Sequence, residues 1–368
     1  MVYFDNAATG FPKSDAVLRA MAEAHLRFGN PGRSGHSPAR LAEEAVYKCR
    51  CLLADLFGST PECVVLCASA TAALNMAIKG LYPKGGEVVT SNMEHNAVMR
   101  PLHSLRLAQE ITLKQFRVDL ESDEKTVENF ALCAGKYAGM AVVTHASNVC
   151  GRLLPLRKMR EAVGREDFLF IADCSQTAGH ISVDIRELGA DVICIPGHKG
   201  LYGPMGTGAL IVHPERKPYF RTVIEGGSGV FSISPEMPPM LPERLEAGTP
   251  NVCGIAGLAA ALTEFSYPAK EGALCELLAD GLQQKSGIRV HGRADGGAYL
   301  PVVLFNREGT DPESVAEALS EKGICVRAGL HCAPQAHLAL GTSETGGIRV
   351  SLGRSNTEDE VRRFLNAL

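Results

Sequence analysis

The sequence predicts an α/β fold: a large domain on a mostly parallel seven-stranded sheet, with a smaller C-terminal α/β domain. Three observations carry this. Short apolar runs recur at 63–67, 87–90, 111–116, 140–144, 168–172, 192–195 and 208–212, with helical segments between several of them. Such alternation suits a parallel sheet covered on both faces. Several of these runs, 168–172 and 192–195 above all, are apolar throughout rather than alternating, as strands buried on both sides are. Finally, the rhythm changes after the small-residue helix ending near Ala261, which predicts a large domain over 13–261 and a small one from 1–12 and 262–368.

In chain order, residues 13–30 have amphipathic helical spacing, and a polar loop follows from Asn30 to Pro38. Residues 38–57 keep the helical period through Leu41, Ala45, Leu52 and Leu56, and stop at Gly58. Cys63 to Cys67 reads as a strand, Ala68 to Thr71 as a turn and Ala72 to Ile78 as a helix. Pro235 to Pro242 is a long proline-rich loop, and a helix of small residues follows Gly254. Beyond it, strands at Val302 to Phe305 and Ile324 to Val326 surround a helix at 312–322. Ile348 to Ser351 and a helix with an acidic start from Thr357 close the chain.

With 368 residues, 45% hydrophobic and 21% charged, and a net charge of −4, the composition is that of an ordinary soluble globular protein. No basic run suggests nucleic acid. No apolar stretch approaches the roughly 18 residues of a membrane span. The start of the chain lacks a signal peptide's basic and apolar regions, and twelve irregularly spaced cysteines suit buried thiols in a reducing cytoplasm. No paired CxxC offers a metal site.

The chemistry gathers at strand ends. The run Val192 to Ile195 leads into Gly197-His198-Lys199, so it delivers a lysine to the sheet edge where ligands of open α/β sheets bind. A lysine shielded from water loses its proton more readily and can attack a carbonyl. Alone, Lys199 reads first as a surface lysine after a strand. Upstream, the run Phe168 to Ala172 ends in Asp173. A lysine for a Schiff base and an aspartate for a pyridinium nitrogen form the pair that pyridoxal 5'-phosphate (PLP) needs. The start of the helix after Ser69-Ala70-Thr71 offers free N–H groups and two hydroxyls for a phosphate, or is a plain cap. His95 follows one strand and could stack on a flat ring, and Asn148 follows another, its amide in reach of a ring oxygen. Cys332 sits in a loop beside basic residues, a setting that raises thiolate content. Arg349, inside a strand pattern, could grip a carboxylate in a bidentate way or serve as a strand-edge salt bridge.

These motifs make the chain resemble the PLP-dependent class V aminotransferase family of fold type I, in its cysteine desulfurase/selenocysteine lyase branch. The matching text is Tyr3 to Thr9, Met93-Glu94-His95, Ser147-Asn148, Asp173 to Gln176, Gly197-His198-Lys199, Gly203 to Gly206, Glu246 to Asn251 and Arg327 to Cys332. The R-x-G-x-H-C form of the last is similar to group II, SufS-like desulfurases; the other group carries its cysteine in a longer, Ser-rich loop.

The resemblance implies that Lys199 bonds the cofactor, Asp173 pairs with its ring nitrogen and His95 stacks on the ring. Asn148 and Gln176 would reach the 3-hydroxyl side. Thr71 and His198, with Ser69 and Ala70 at the same helix start, would bind phosphate. Thr249 would join them from a partner subunit, which implies a homodimer. Arg349 would hold the substrate carboxylate, near Ala8 and Asn148, with His36 at the cavity mouth. Cys332 would take sulfur from L-cysteine, or from selenocysteine in the alternative branch, and pass it to an acceptor protein, as in iron–sulfur cluster assembly. Another class V activity (aminotransferase, epimerase or C–S lyase) would not use Cys332. Three departures from the family pattern bear on cofactor affinity: Ala70 within the phosphate turn, Pro196 where a serine often precedes Gly-His-Lys, and the extra Gly200 after the lysine.

Overall fold

The computed structural model describes residues 1–32 and 35–368. The central sheet has seven strands in the order Val64–Cys67, Gly208–Val212, Val192–Pro196, Leu169–Asp173, Ala138–Thr144, Glu87–Ser91 and Thr112–Phe116. Gly208–Val212 runs antiparallel to both its neighbours, and every other adjacent pair is parallel. The six other strands therefore end at one edge. This is the α/β fold with a mostly parallel seven-stranded sheet that the apolar runs predict, each strand within a residue or two of its run.

Those runs lack alternation because both sheet faces are buried. Phe170 and Ala172 pack into one core with Ile193 and Ile195. Ile171 packs into the opposite core with Val192 and Cys194. Phe130, from the helix Asp123–Ala134, meets Phe116 and Phe170 edge-on at centroid distances of 5.3 and 5.9 Å. Edge-on packing places ring edges against ring faces and favours this geometry.

The helix Ser37–Phe57 ends where expected, at Gly58 with φ +71°, and a Cβ there would lie 2.1 Å from Asp184 Oδ2. The small-residue helix spans Val252–Thr263 and begins before Gly254, because Asn251 caps it by accepting the Gly254 N–H at 3.0 Å. Its glycines permit close packing: a Cβ on Gly257 would lie 2.7 Å from Met21 and Pro204.

A four-stranded sheet in the order Arg327–Gly329, Gly347–Ser351, Val302–Arg307 and Ile288–His291 lies toward the C-terminus. Its core holds Phe4, Phe305 and Phe364. Of the expected strand Ile324–Val326 only Ile324–Cys325 forms, and a separate strand follows it. Ile324–Cys325 pairs in parallel with Val2–Tyr3, and Arg327–Gly329 joins the four-stranded sheet. The helix Glu271–Gln283 and strand Ile288–His291 fill a stretch that the sequence reading left without elements. The first helix stops at Arg27, three residues short of the expected 30, and Phe28 there is already extended. Among the described residues, no helix is long and apolar enough to cross a membrane.

Candidate active site

The strand ends converge on one cavity. Of the expected residues it is lined by Ala8, Ser69, Ala70, Thr71, His95 and Asn148 on one part of its wall. Asp173, Gln176, His198, Lys199, Cys332 and Arg349 complete the set. Ser175, Arg327 and His331 also line it and were not anticipated as site residues. The signal for Arg327 lay in the R-x-G-x-H-C motif itself.

At one end the helix Ala70–Leu81 begins, two residues earlier than expected. Ser69 caps it, its Oγ accepting the Ala72 N–H at 3.2 Å. The first intrahelical bond is Ala73 N–H to Ser69 O, so the N–H groups of Ala70 and Thr71 precede the helix ladder. Gly208 allows this start to sit against the sheet, since a Cβ there would lie 2.7 Å from Ser69 backbone. His198 lines the same cavity, and its buried Nδ1 has no partner among the described residues. Burial and the neighbouring Lys199 push its pKa down to about 4, so the ring is neutral.

Lys199 is held from below. The His198 carbonyl accepts from Gly10 N–H at 2.9 Å, Thr9 Oγ1 at 3.0 Å and Lys13 Nζ at 2.8 Å. Gly10 must be glycine for this approach, as a Cβ would lie 2.5 Å from Lys199 O. Desolvation lowers the Lys199 pKa to about 8, against the opposing pull of Asp173. Asp173, which lines the cavity, accepts at Oδ1 from the N–H of Ser175 at 2.9 Å and from its hydroxyl, so Oδ2 is not used by either bond.

His95 caps the helix Asn96–Leu107, Nδ1 accepting the Ala97 N–H at 3.0 Å. A neutral ring with that bond carries its proton on Nε2. Burial and Lys199 keep it neutral by depressing its pKa to about 4. Asn148 donates to His331 O at 2.8 Å, and Gln176 donates to Ala7 O at 3.2 Å. Both amide nitrogens are thus engaged in holding backbone, which leaves their side-chain oxygens for other contacts.

At the other end, strand register places Arg327 opposite Arg349. Arg349 is buried; Nη2 meets Asp5 Oδ1 at 2.7 Å and Nη1 meets Asn148 O at 3.1 Å. Its Nε is buried without a partner among the described residues. Arg349 is thus both salt-bridged and left with an unused donor. Cys332 is exposed on two consecutive left-handed residues, His331 at φ +50° and Cys332 at +55°. Left-handed backbone costs a non-glycine residue roughly 1–2 kcal/mol. Two bonds hold it: Asn96 N–H to Cys332 O at 2.8 Å, and Asn148 to His331 O.

Two expected residues are elsewhere. His36 is an exposed helix cap, its Nδ1 accepting the Ala39 N–H at 3.3 Å, and is not among the described residues lining the cavity. That cap bond ties its ring to its own helix, so the expected place at the mouth is not met within this chain. Thr249 is exposed and also outside the lining.

Helix-start N–H groups, a neutral imidazole, a lysine with a lowered pKa, a carboxylate and a guanidinium thus line one cavity at the strand ends of an α/β sheet. The chain belongs to the class-V aminotransferase family, whose pattern matches residues 2–364. It is 30% identical to the probable cysteine desulfurase of Pyrococcus abyssi over all of this chain and 93% of that protein. The apo cysteine desulfurase from Thermococcus onnurineus NA1 superposes with a TM-score of 0.88 at 29% identity, covering 99% of this chain and 93% of that one. The cysteine desulfurase CsdA from Escherichia coli, in an S-sulfonic acid form, gives a TM-score of 0.87 at 26% identity over 99% and 93%.

Proposed function

We propose that the protein is a PLP-dependent cysteine desulfurase of the group II, SufS-like kind, converting L-cysteine to L-alanine and leaving a persulfide on Cys332. The observation that carries this reading is an exposed thiol on a strained turn at the rim of a cavity floored by Lys199. The short connection from strand Arg327–Gly329 to Cys332 favours the group II assignment.

The residues fit PLP. The unpartnered His198 Nδ1 and the free N–H groups of Ala70 and Thr71 suit its phosphate. Asp173 Oδ2 suits its ring nitrogen, and Lys199 its aldehyde. When bound, PLP supplies an electron sink that makes the substrate Cα proton acidic. Lys199 Nζ, about half neutral near pH 8, takes that proton and can return it. His95, its proton held on Nε2 by the Ala97 N–H bond to Nδ1, would stand against the ring. Arg349 Nε, with Arg327 beside it, orients the substrate carboxylate. Cys332 Sγ, as thiolate, attacks the substrate sulfur: an S–S bond forms, the Cβ–S bond breaks and its electron pair leaves with the carbon skeleton, which becomes alanine after protonation. In sum, cysteine plus enzyme thiol gives alanine plus enzyme persulfide.

The protein works as a homodimer in which Thr249 completes the partner's phosphate site, and it hands sulfur to an acceptor protein in the cytoplasm. Exposure of Thr249 outside its own cavity supports the first point, and twelve unpaired cysteines support the last. Residues 13–261 form the large domain, and 1–12 with 262–368 the small one.

The test is alanine and sulfide release from L-cysteine with a reductant, in PLP-loaded protein. Wild type should yield both in equal amounts and Cys332→Ala should lose nearly all turnover. Equal activity of the two proteins would overturn the desulfurase reading in favour of a transaminase or lyase.

A further inference from the structure

Behind Cys332 lies a buried chain of polar side chains that the reaction does not touch. His331 Nε2 lies 3.2 Å from Arg327 O, His331 Nδ1 lies 3.1 Å from His337 Nε2, and His337 Nδ1 lies 2.8 Å from Thr342 Oγ1. The two rings lie nearly parallel, with an interplanar angle of 16°. His337 and Thr342 are buried and lie outside the cavity lining.

The direction of every bond in this chain follows from two facts, that a backbone carbonyl only accepts and that both rings are neutral. His331 therefore carries its proton on Nε2 and donates it to Arg327 O. Both rings are neutral, burial holding His331 near pKa 3 and His337 near 4. His331 Nδ1 is then a bare acceptor, so His337 must donate from Nε2. His337 Nδ1 is bare in turn and takes the Thr342 hydroxyl proton, at 2.8 Å against 3.4 Å for the alternative acceptor, His337 O. Reversing any one bond would set two lone pairs or two protons against each other in a dry interior, where an unmatched polar group is costly.

The chain ends on the two features that present the thiol. One is the strand carrying Arg327 into the cavity; the other is His331, first of the two left-handed residues. Such backbone persists only where its surroundings over-determine it. Resting on the desulfurase reading, we propose that His337 and Thr342 are positioning residues for Cys332, fixing its strained turn through the His331 tautomer and ring.

The experiment uses PLP-loaded Thr342→Val, Thr342→Ser and His337→Gln. Three readouts are taken: turnover of L-cysteine, turnover of β-chloroalanine (whose chloride leaves without thiol attack), and the rate at which iodoacetamide alkylates Cys332, located by peptide mass. Thr342→Val should lower kcat on cysteine by about tenfold while β-chloroalanine turnover stays within about twofold. Its Cys332 alkylation rate should shift by about threefold or more, because thiol reactivity follows local environment. Thr342→Ser, which restores the donor, should return all three to wild-type values. Folded Thr342→Val and His337→Gln proteins with unchanged cysteine turnover and alkylation would overturn the proposal. So would a parallel loss on both substrates, or failure of both variants to fold, since either marks a general structural role. If wild type proves inactive on cysteine, the desulfurase reading fails by itself, and the alkylation comparison still decides whether Thr342 positions the thiol.

Discussion

Removing Asp5 should destabilise the protein far more than removing its partner Arg349. The pair meets at 2.7 Å, with the arginine side chain 3% exposed and the aspartate 20%. Two unit charges about 4 Å apart attract by roughly 4 kcal/mol at an effective dielectric near 20. Asp5→Ala deletes that term and strands a buried cation, for which about 3–5 kcal/mol is the usual loss. Nearby Arg327 adds to the penalty, since it also disfavours the Arg349 charge. Arg349→Met leaves instead a carboxylate that water can reach, at about 1–2 kcal/mol. Urea unfolding at pH 7 of both single variants and the double variant measures this. The double variant should resemble Arg349→Met, because no unpaired buried charge remains. Equal losses from the two single substitutions, or an Asp5→Ala loss below about 1 kcal/mol, would refute the reasoning.

Two further outcomes concern pH. The folded-state pKa of Lys199 lies at about 8, below its ordinary 10.5, so between those values the unfolded chain holds a proton the folded chain lacks. Stability from this group therefore rises with pH across that window, and its native-state penalty is full below pH 8. Cofactor-free Lys199→Met should be more stable than wild type at pH 7, by an upper bound on the order of 3 kcal/mol. That gain should fade toward pH 10.5, and thermal melts showing a pH-independent gain would contradict this. Glu94 is the opposite case. It is fully buried between strand ends, bonded to Ser91 and to the Thr144 N–H, and burial raises its pKa from 4.5 to about 8. The folded chain holds the extra proton between those values, so stability from Glu94 is lost as pH rises through the window. Glu94→Gln, neutral at any pH, should gain on wild type between pH 5 and 9 by a few kcal/mol, about one per unit of pKa displacement. A constant difference across that range would show that Glu94 stays ionised.

The large sheet was legible because a strand buried on both faces must be apolar throughout, as in Phe168 to Ala172 and Val192 to Ile195. The C-terminal region was less so. Ile288–His291 mixes Arg289 and His291 with two apolar residues, and Arg327–Gly329 contains no apolar pattern at all. Both are short strands of the smaller sheet; Ile288 and Val290 are only partly buried against its core, and Arg327–Gly329 has no fully buried residue. Capping moved boundaries as well, since Ser69 and Asn251 each start a helix earlier than apolar periodicity suggests.

Local order along the chain determined which chemical groups stand at strand ends: Lys199, Asp173, His95, Asn148 and the Ser69 turn each follow an apolar run, and parallel pairing sends such ends to one edge. Nothing local could specify pairing across hundreds of residues. Asp5 on Arg349 and the three donors on the His198 carbonyl exist only because the N-terminal segment and the C-terminal sheet fold back over that edge. Charge neutralisation, desolvation and tautomer depend on distance and burial, and those the tertiary structure alone decided.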